Sequence, residues 1–175
     1  MNFEQSFLED AINRFKVYKD LGDKTLEQLN EEHFFFHPSP ESNNIAIIIQ
    51  HLYGNMLSRW TNFLTEDGEK PWRKRDEEFE EMNVLKEDLL SFWNEGWKCL
   101  LNAVESLKPE DVTKTIYIRT EPLSVCDAIL RQLAHVSYHV GQIVTTARMI
   151  KDKDWKSLSI PKGQSKEFNE KMKKH

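Results

Sequence analysis

Hydrophobic side chains recur every three or four positions along four segments of the chain. This spacing places them on one face of an α-helix and leaves polar side chains on the other. It predicts long helices over about residues 3–21, 44–65, 84–107 and 123–150, with a short continuation of the first over about residues 25–30. Alternation of polar and apolar residues is confined to TKTIYIRTEP, which predicts extended chain or a single hairpin.

Polar connections separate these helices and contain the residues that commonly end them. HFFFHPSPESNN carries two prolines and several small polar residues, which stop a helix, and Ser42 or Asn43 is the expected N-cap of the next helix. EDGEKPWRKRDEEFEE forms a long charged loop, residues 66–81. We therefore predict an all-α protein, a four-helix bundle with long inter-helix loops, in which residues 1–160 form the domain and residues 161–175 a tail or short helix.

Composition narrows the class of protein. The net charge is −5, whereas nucleic-acid binding needs Lys and Arg concentrated on one face. No apolar run approaches the roughly 20 residues that span a bilayer, and the N-terminus lacks the uninterrupted apolar stretch of a secretory signal. Two cysteines, Cys99 and Cys126, do not make a disulfide framework. We expect a cytoplasmic protein with neither nucleic-acid nor membrane partners.

Three histidines occupy corresponding positions on two of the predicted helices. His135 and His139 are four residues apart, so they project one above the other from one helix face, at the margin of the apolar stripe. His51 lies on the same margin of the second predicted helix. Because facing helices of a bundle lie about 8–10 Å apart, imidazoles from both helices can reach one ion. The alternative interpretation is that all three are packing histidines at the edge of the core.

Three neutral imidazoles suit zinc, nickel, copper or iron(II), with zinc or nickel expected foremost, and they leave at least one coordination position open. An ion held in this way makes a water or thiol more acidic. Neighbouring polar groups must orient the imidazoles, and Gln132, Gln142 and Asn55 are the nearest candidates on the helical wheel. The predicted ligands of the metal ion are His51, His135 and His139.

The charged loop, residues 66–81, has two interpretations. The stretch EDGEKPWRKRDEEF mixes acidic and basic residues, which favours a solvated connection between helices. Alternatively, the loop forms a rim over the metal pocket, where Arg73, Arg75 or Arg59 holds a substrate carboxylate through paired hydrogen bonds. Trp72 would then cover the pocket.

The two histidine-bearing stretches resemble a known superfamily. The chain is similar to the DinB/YfiT-like four-helix-bundle proteins, whose pattern is one histidine in the second helix and HxxxH in the fourth. QHLYGNMLSRW, with His51, and HVSYHVGQI, with His135 and His139, match this pattern. The block HLYGNMLSRWTNFLTEDGEKPWRKRDEEF most resembles a branch known only as a domain of unknown function. The resemblance covers nearly the whole chain and implies a three-histidine metal site.

The resemblance also implies a range of activities. Members of the superfamily include metal-dependent thiol transferases and isomerases that use low-molecular-weight thiols. We predict a metal-dependent thiol S-transferase or hydrolase that acts on a small molecule, in which the metal activates a thiol or water. No carboxylate stands out as a general base, which favours thiol transfer over hydrolysis. The alternative is a non-catalytic metal-binding or stress-associated dimer, and a homodimer is expected in either case.

Overall fold

The structure, a computed structural model, describes residues 2–173. Within this range the chain is mostly helical, as the predicted all-α class requires, and carries one small two-stranded sheet. The helices are α1 (Phe3–Leu26), α2 (Glu31–Phe34), α3 (Ile45–Trp60), α4 (Lys86–Glu105), α5 (Val125–Lys151) and α6 (Ser165–Met172), and the strands are β1 (Thr115–Ile118) and β2 (Glu121–Ser124). Short 3-10 helices span Asp76–Phe79, Pro109–Asp111 and Asp152–Asp154.

Polar side chains cap three of the long helices at their N-termini. Asn2, Asn44 and Ser124 each accept a hydrogen bond from the backbone N–H three residues further along, which satisfies a donor that the helix itself leaves unpaired. The cap of α3 is therefore Asn44. The prediction of Ser42 or Asn43 was wrong by one or two residues.

Two helix boundaries differ from those predicted. The expected break after residue 21 is absent, because α1 continues to Leu26 with Gly22 packed against the Trp93 ring of α4. The second predicted helix, α3, ends at Trp60 instead of residue 65. Asn62 follows in the left-handed region at a φ of 49°, which an α-helix cannot accommodate.

Buried side chains from α1, α3, α4 and α5 form one hydrophobic core. Helix α3 packs most extensively against α4, and α1 against α5, while α1 also contacts α4 and α3 contacts α5. Trp97, Phe15 and Ile129 are among the side chains that this packing removes from water completely or almost completely. Among the described residues, every helix is too short or too polar to cross a lipid bilayer.

The predicted hairpin is present and is tied to the charged loop. Strands β1 and β2 pair antiparallel and lead directly into α5. The turn residues Arg119 and Thr120 have φ values of 55° and 64°, and their backbone N–H groups donate to the Asp67 carboxylate at 2.9 and 2.7 Å. The backbone N–H of Gly68 donates to the Tyr117 carbonyl at 2.8 Å. These bonds hold the charged loop against the hairpin.

Candidate metal centre

Three imidazoles meet where α3 and α5 are in contact. His51 lies in α3, and His135 and His139 lie one turn apart in α5. The rings are close enough that one nitrogen from each lies within 4.8 Å of the others, with ring centroids 4.5, 4.9 and 5.1 Å apart. His51 and His139 are buried and His135 is half-buried. The structure thus brings together all three residues that the sequence predicted as ligands.

Glu78 and Arg73 fix the orientation of His51. The Nδ1 of His51 donates to Glu78 Oε2 at 3.0 Å. Arg73 donates to both oxygens of the same carboxylate, from Nε at 2.7 Å and from Nη2 at 2.9 Å. Because an ionised carboxylate only accepts hydrogen bonds, the single proton of a neutral His51 ring lies on Nδ1 and the lone pair on Nε2. His51 therefore offers Nε2 to a metal ion.

Glu78 lies at this site and was not predicted from the sequence. It belongs to the 3-10 helix of the charged loop and is only 10 % exposed. Burial raises the pKa of Glu78, but hydrogen bonds from Arg73 and His51 outweigh burial and hold the pKa below its ordinary value. No carboxylate stands out beside the three histidines in the sequence, whereas the Glu78 carboxylate is hydrogen-bonded to His51. No signal in the sequence marked Glu78, because the overlap of a Gly54 Cβ with its carboxylate is visible only in the folded chain.

A second hydrogen-bond chain orients His139. Gln142 donates from Nε2 to the Tyr138 hydroxyl oxygen at 3.2 Å, so its Oε1 is the atom that faces His139. The Nδ1 of His139 donates to this oxygen at 2.8 Å, which leaves the lone pair on Nε2. Gln142 was predicted to orient a ligand. The other two predicted residues, Gln132 and Asn55, make no hydrogen bond to the three rings within the described residues.

His135 completes the cluster. Its Nε2 lies 3.0 Å from His51 Nε2, and since the latter carries a lone pair, His135 donates the shared proton when no ion is present. Neutral His135 with its proton on Nδ1 instead presents a lone pair on Nε2, so the three rings together can offer three nitrogen lone pairs to a cation. The donor set is thus three imidazoles, two of them held in the ligand tautomer by Glu78 and Gln142, and it fits a divalent transition metal ion.

Burial keeps both histidines of α5 neutral. Together with the neighbouring His139, His51 and Arg73, it lowers the pKa of His135 to about 3. Burial likewise lowers the pKa of His139 to about 4, although the hydrogen bond to Gln142 acts in the opposite direction. Neutral imidazole is the form that binds metal, so at neutral pH His135 and His139 are in the protonation state that a metal ion requires.

The low pKa values predict that acid destabilises the metal-free protein. An unfolded histidine has a pKa near 6.5, while His135 and His139 have folded values of about 3 and about 4. Between pH 6.5 and 4 the unfolded chain binds more protons than the folded protein. The free energy of unfolding therefore decreases as the pH is lowered, by about 1.4 kcal/mol per pH unit for each histidine. Denaturant unfolding after EDTA treatment, from pH 7 to pH 4.5, measures this slope. In a His135→Gln/His139→Gln variant the free energy of unfolding should depend less steeply on pH. A slope equal to that of the wild type would contradict the prediction.

A cavity of about 220 Å³ lies beside the cluster. His51 and His135 form part of its wall, and the rest comes from α3, α5, β1, the hairpin turn and the charged loop. Arg75 and Arg119 also line it, and their side chains are 50 % and 55 % exposed. The cavity therefore reaches solvent, which gives a small molecule access to two of the three imidazoles.

The charged loop contributes to this site and is not merely a solvated connection. Arg73 is 2 % exposed, and Arg59, Arg73 and Arg75 all line the cavity, as the rim interpretation predicts. Phe79 packs on the His51 ring, with centroids 4.8 Å apart. Trp72, in contrast, is 54 % exposed and does not line the cavity, so it does not cover the site in the predicted way.

Replacing Glu78 by glutamine should weaken metal binding by about 10–100-fold, the usual loss when a group that orients a metal-bound histidine is changed. Glutamine keeps the size of the side chain but removes the negative charge to which both Arg73 and His51 donate hydrogen bonds. Competition of the protein with a zinc-sensitive dye measures the change. Glu77→Gln is the matched control, because Glu77 is 65 % exposed and, within residues 2–173, its carboxylate pairs with Lys74 alone. Equal zinc affinity in Glu78→Gln and wild type would show that the carboxylate has no orienting role.

Fold and site together define a mostly helical protein with a buried three-histidine cluster that can hold a divalent metal ion. The chain belongs to the family described as "Protein of unknown function (DUF1572)", which it matches over residues 2–164. No curated protein matches the sequence.

Proposed function

We propose that this protein is a metal-dependent enzyme with a DinB-like four-helix-bundle fold. In this proposal His51, His135 and His139 hold one divalent ion, zinc or nickel, and the enzyme catalyses thiol S-transfer to a small molecule or hydrolysis of one. The ion would supply Lewis-acid chemistry, which lowers the pKa of a thiol or water. The superfamily assignment rests on the sequence resemblance and on the packing of α1, α3, α4 and α5 around one core.

The observation that carries the proposal is the position of the cluster beside a cavity that reaches solvent. A structural metal site is commonly closed by four protein ligands, whereas a reactive one keeps a position open to substrate. Three histidine nitrogens form this cluster, and His51 and His135 are exposed to the cavity. The arrangement therefore favours chemistry on a small molecule over a purely structural ion.

The state of Glu78 favours thiol transfer over hydrolysis. Its Oε1 accepts from Arg73, and its Oε2 accepts from both Arg73 and His51. With a lowered pKa and both oxygens engaged, this carboxylate orients His51 and is a poor proton acceptor. Hydrolysis usually requires a general base for water, while a thiol activated by the ion needs none.

An activity screen with zinc-loaded and nickel-loaded protein tests the proposal. Cysteine, mercaptosuccinate and cysteamine serve as thiols with a fluorogenic haloalkyl electrophile, and p-nitrophenyl acetate reports hydrolysis. We expect consumption of a thiol that requires the metal, is abolished by EDTA and is absent from His139→Ala.

The control variant is His33→Gln. His33 lies in α2, outside the cluster, and its Nδ1 accepts a hydrogen bond from the Asn30 backbone. It should retain full activity. If metal-loaded wild type turns over neither thiol nor ester faster than metal-free protein, the enzyme proposal fails and the non-catalytic metal-binding protein becomes the better account.

A further inference from the structure

Arginines are concentrated around the cavity beside the histidine cluster. They come from four segments: Arg59 from α3, Arg73 and Arg75 from the charged loop, Arg119 from the hairpin turn and Arg131 from α5. Among the described residues, no aspartate or glutamate lines the same cavity. The chain as a whole carries a net charge of −5, so this local excess of positive charge does not follow from composition.

Nearby carboxylates neutralise only part of this charge. Glu69 is shared by two arginines, since its Oε2 accepts from Arg59 Nη2 at 3.1 Å and from Arg119 Nε at 2.8 Å. Glu78 is the partner of Arg73. Two carboxylates thus serve three guanidinium groups, and positive charge remains in excess.

Arg75 and Arg131 have donors left for a ligand. Arg75 lies 3.8 Å from its nearest carboxylate, that of the fully exposed Asp76, which is longer than a hydrogen bond. Arg131 is exposed and forms no ion pair within residues 2–173. Guanidinium groups bind carboxylates and phosphates through paired hydrogen bonds.

Unpaired polar atoms are concentrated in the same wall. Asn55 Oδ1, Trp60 Nε1, Gln132 Nε2 and His135 Nδ1 are buried and have no hydrogen-bond partner in the described chain, and all four residues line the cavity. Trp60 and Gln132 are only 3 % and 4 % exposed. Folded proteins seldom leave such groups unpaired, so their clustering points to a polar ligand.

We propose that this cavity binds a compact dianion, either a dicarboxylate or a phosphate, directly beside the histidine cluster. Arg75 and Arg131 bind its negative groups, with Arg59 and Arg119 adding charge to the wall, and the unpaired amide and indole groups bind its uncharged polar atoms. This inference rests on the proposed function, because the dianion is the substrate or thiol acted on at the metal centre.

Isothermal titration calorimetry at low ionic strength measures binding of the dianion and so tests the inference without any activity measurement. The probes are succinate, its neutral analogue succinamide, and inorganic phosphate, each added to EDTA-treated and to zinc-loaded protein. We expect at least one dianion to bind and succinamide not to bind. The Arg75→Gln/Arg131→Gln variant should bind the dianion about ten-fold or more weakly, because it loses the two guanidinium groups with free donors.

Arg148→Gln is the matched control, since Arg148 is also exposed on α5 but does not line the cavity. Binding of succinate alone identifies a dicarboxylate, and binding of phosphate alone a phosphate. The inference is overturned if neither dianion binds, if succinamide binds as well as succinate, or if Arg148→Gln weakens binding as much as the double variant.

Zinc titration of the same samples separates this inference from the proposed function. If a dianion binds but zinc does not, the metal-dependent function fails while the anion site stands. If zinc binds but neither dianion does, the metal centre stands and the inference about its substrate fails.

Discussion

Replacing His139 by alanine is expected to lower zinc affinity by more than about 100-fold, because loss of an orienting group alone costs 10–100-fold and this change removes a ligand. The metal-free variant should unfold at nearly the same denaturant concentration as metal-free wild type at pH 7. His139 is neutral there and contributes one hydrogen bond, to Gln142. Zinc titration and denaturant unfolding of both proteins, with and without EDTA, measure the two effects.

The comparison also distinguishes a reactive ion from a structural one. An ion that binds only the folded state stabilises that state, and the stabilisation grows with the logarithm of the ratio of ion concentration to dissociation constant. Zinc should therefore raise the stability of wild type and not that of His139→Ala. His33→Gln should behave as wild type in both measurements. Unfolding of wild type upon metal removal would instead indicate a structural ion.

Replacing Gly22 by alanine is expected to destabilise the protein by about 2–3 kcal/mol, the usual cost of forcing an extra group into a packed core. The added Cβ would overlap two ring carbons of Trp93. That ring is 3 % exposed and held by a hydrogen bond from its Nε1 to Asp23 at 2.7 Å. Moving it away would break this hydrogen bond and disturb the packed core. For a chain of this size we expect a melting temperature lower by roughly 5–10 °C, measurable by calorimetry.

Gly141→Ala is the matched control for this substitution. Gly141 is also a helical glycine, in α5, but it is exposed, and a Cβ there meets no atom within 4 Å. Alanine should therefore stabilise the protein by about 0.5–1 kcal/mol through its higher helix propensity. If Gly22→Ala were as stable as Gly141→Ala, the close packing of α1 against Trp93 would be wrong.

Periodicity in the sequence predicted the features that depend on local spacing. Hydrophobic residues every three or four positions located α1, α3, α4 and α5, and alternation located the hairpin. The pair His135 and His139 could be recognised because an interval of four residues places two side chains on one helix face. The matching position of His51 relative to its own apolar stripe added the third ring.

Features that depend on tertiary contacts were not visible in the sequence. Glu78 lies in a stretch of mixed charge, and such a stretch normally indicates a solvated loop. Only the folded chain shows that Arg73 and His51 satisfy its carboxylate and that Gly54 leaves it room. The predicted end of the first helix at about residue 21 was likewise wrong, because the packing of Gly22 against the Trp93 ring is visible only in the folded chain.

The most direct test of the metal centre is the metal content of untagged protein purified without added metal, measured by elemental analysis beside His135→Ala. The predicted result is about one zinc or nickel ion per chain in the wild type, the capacity of a single three-histidine site, and none in the variant. Absence of metal from the wild type, with no tight uptake when zinc is supplied, would contradict it. His51, His135 and His139 would then be packing residues, and the proposed metal-dependent activity would be wrong as well.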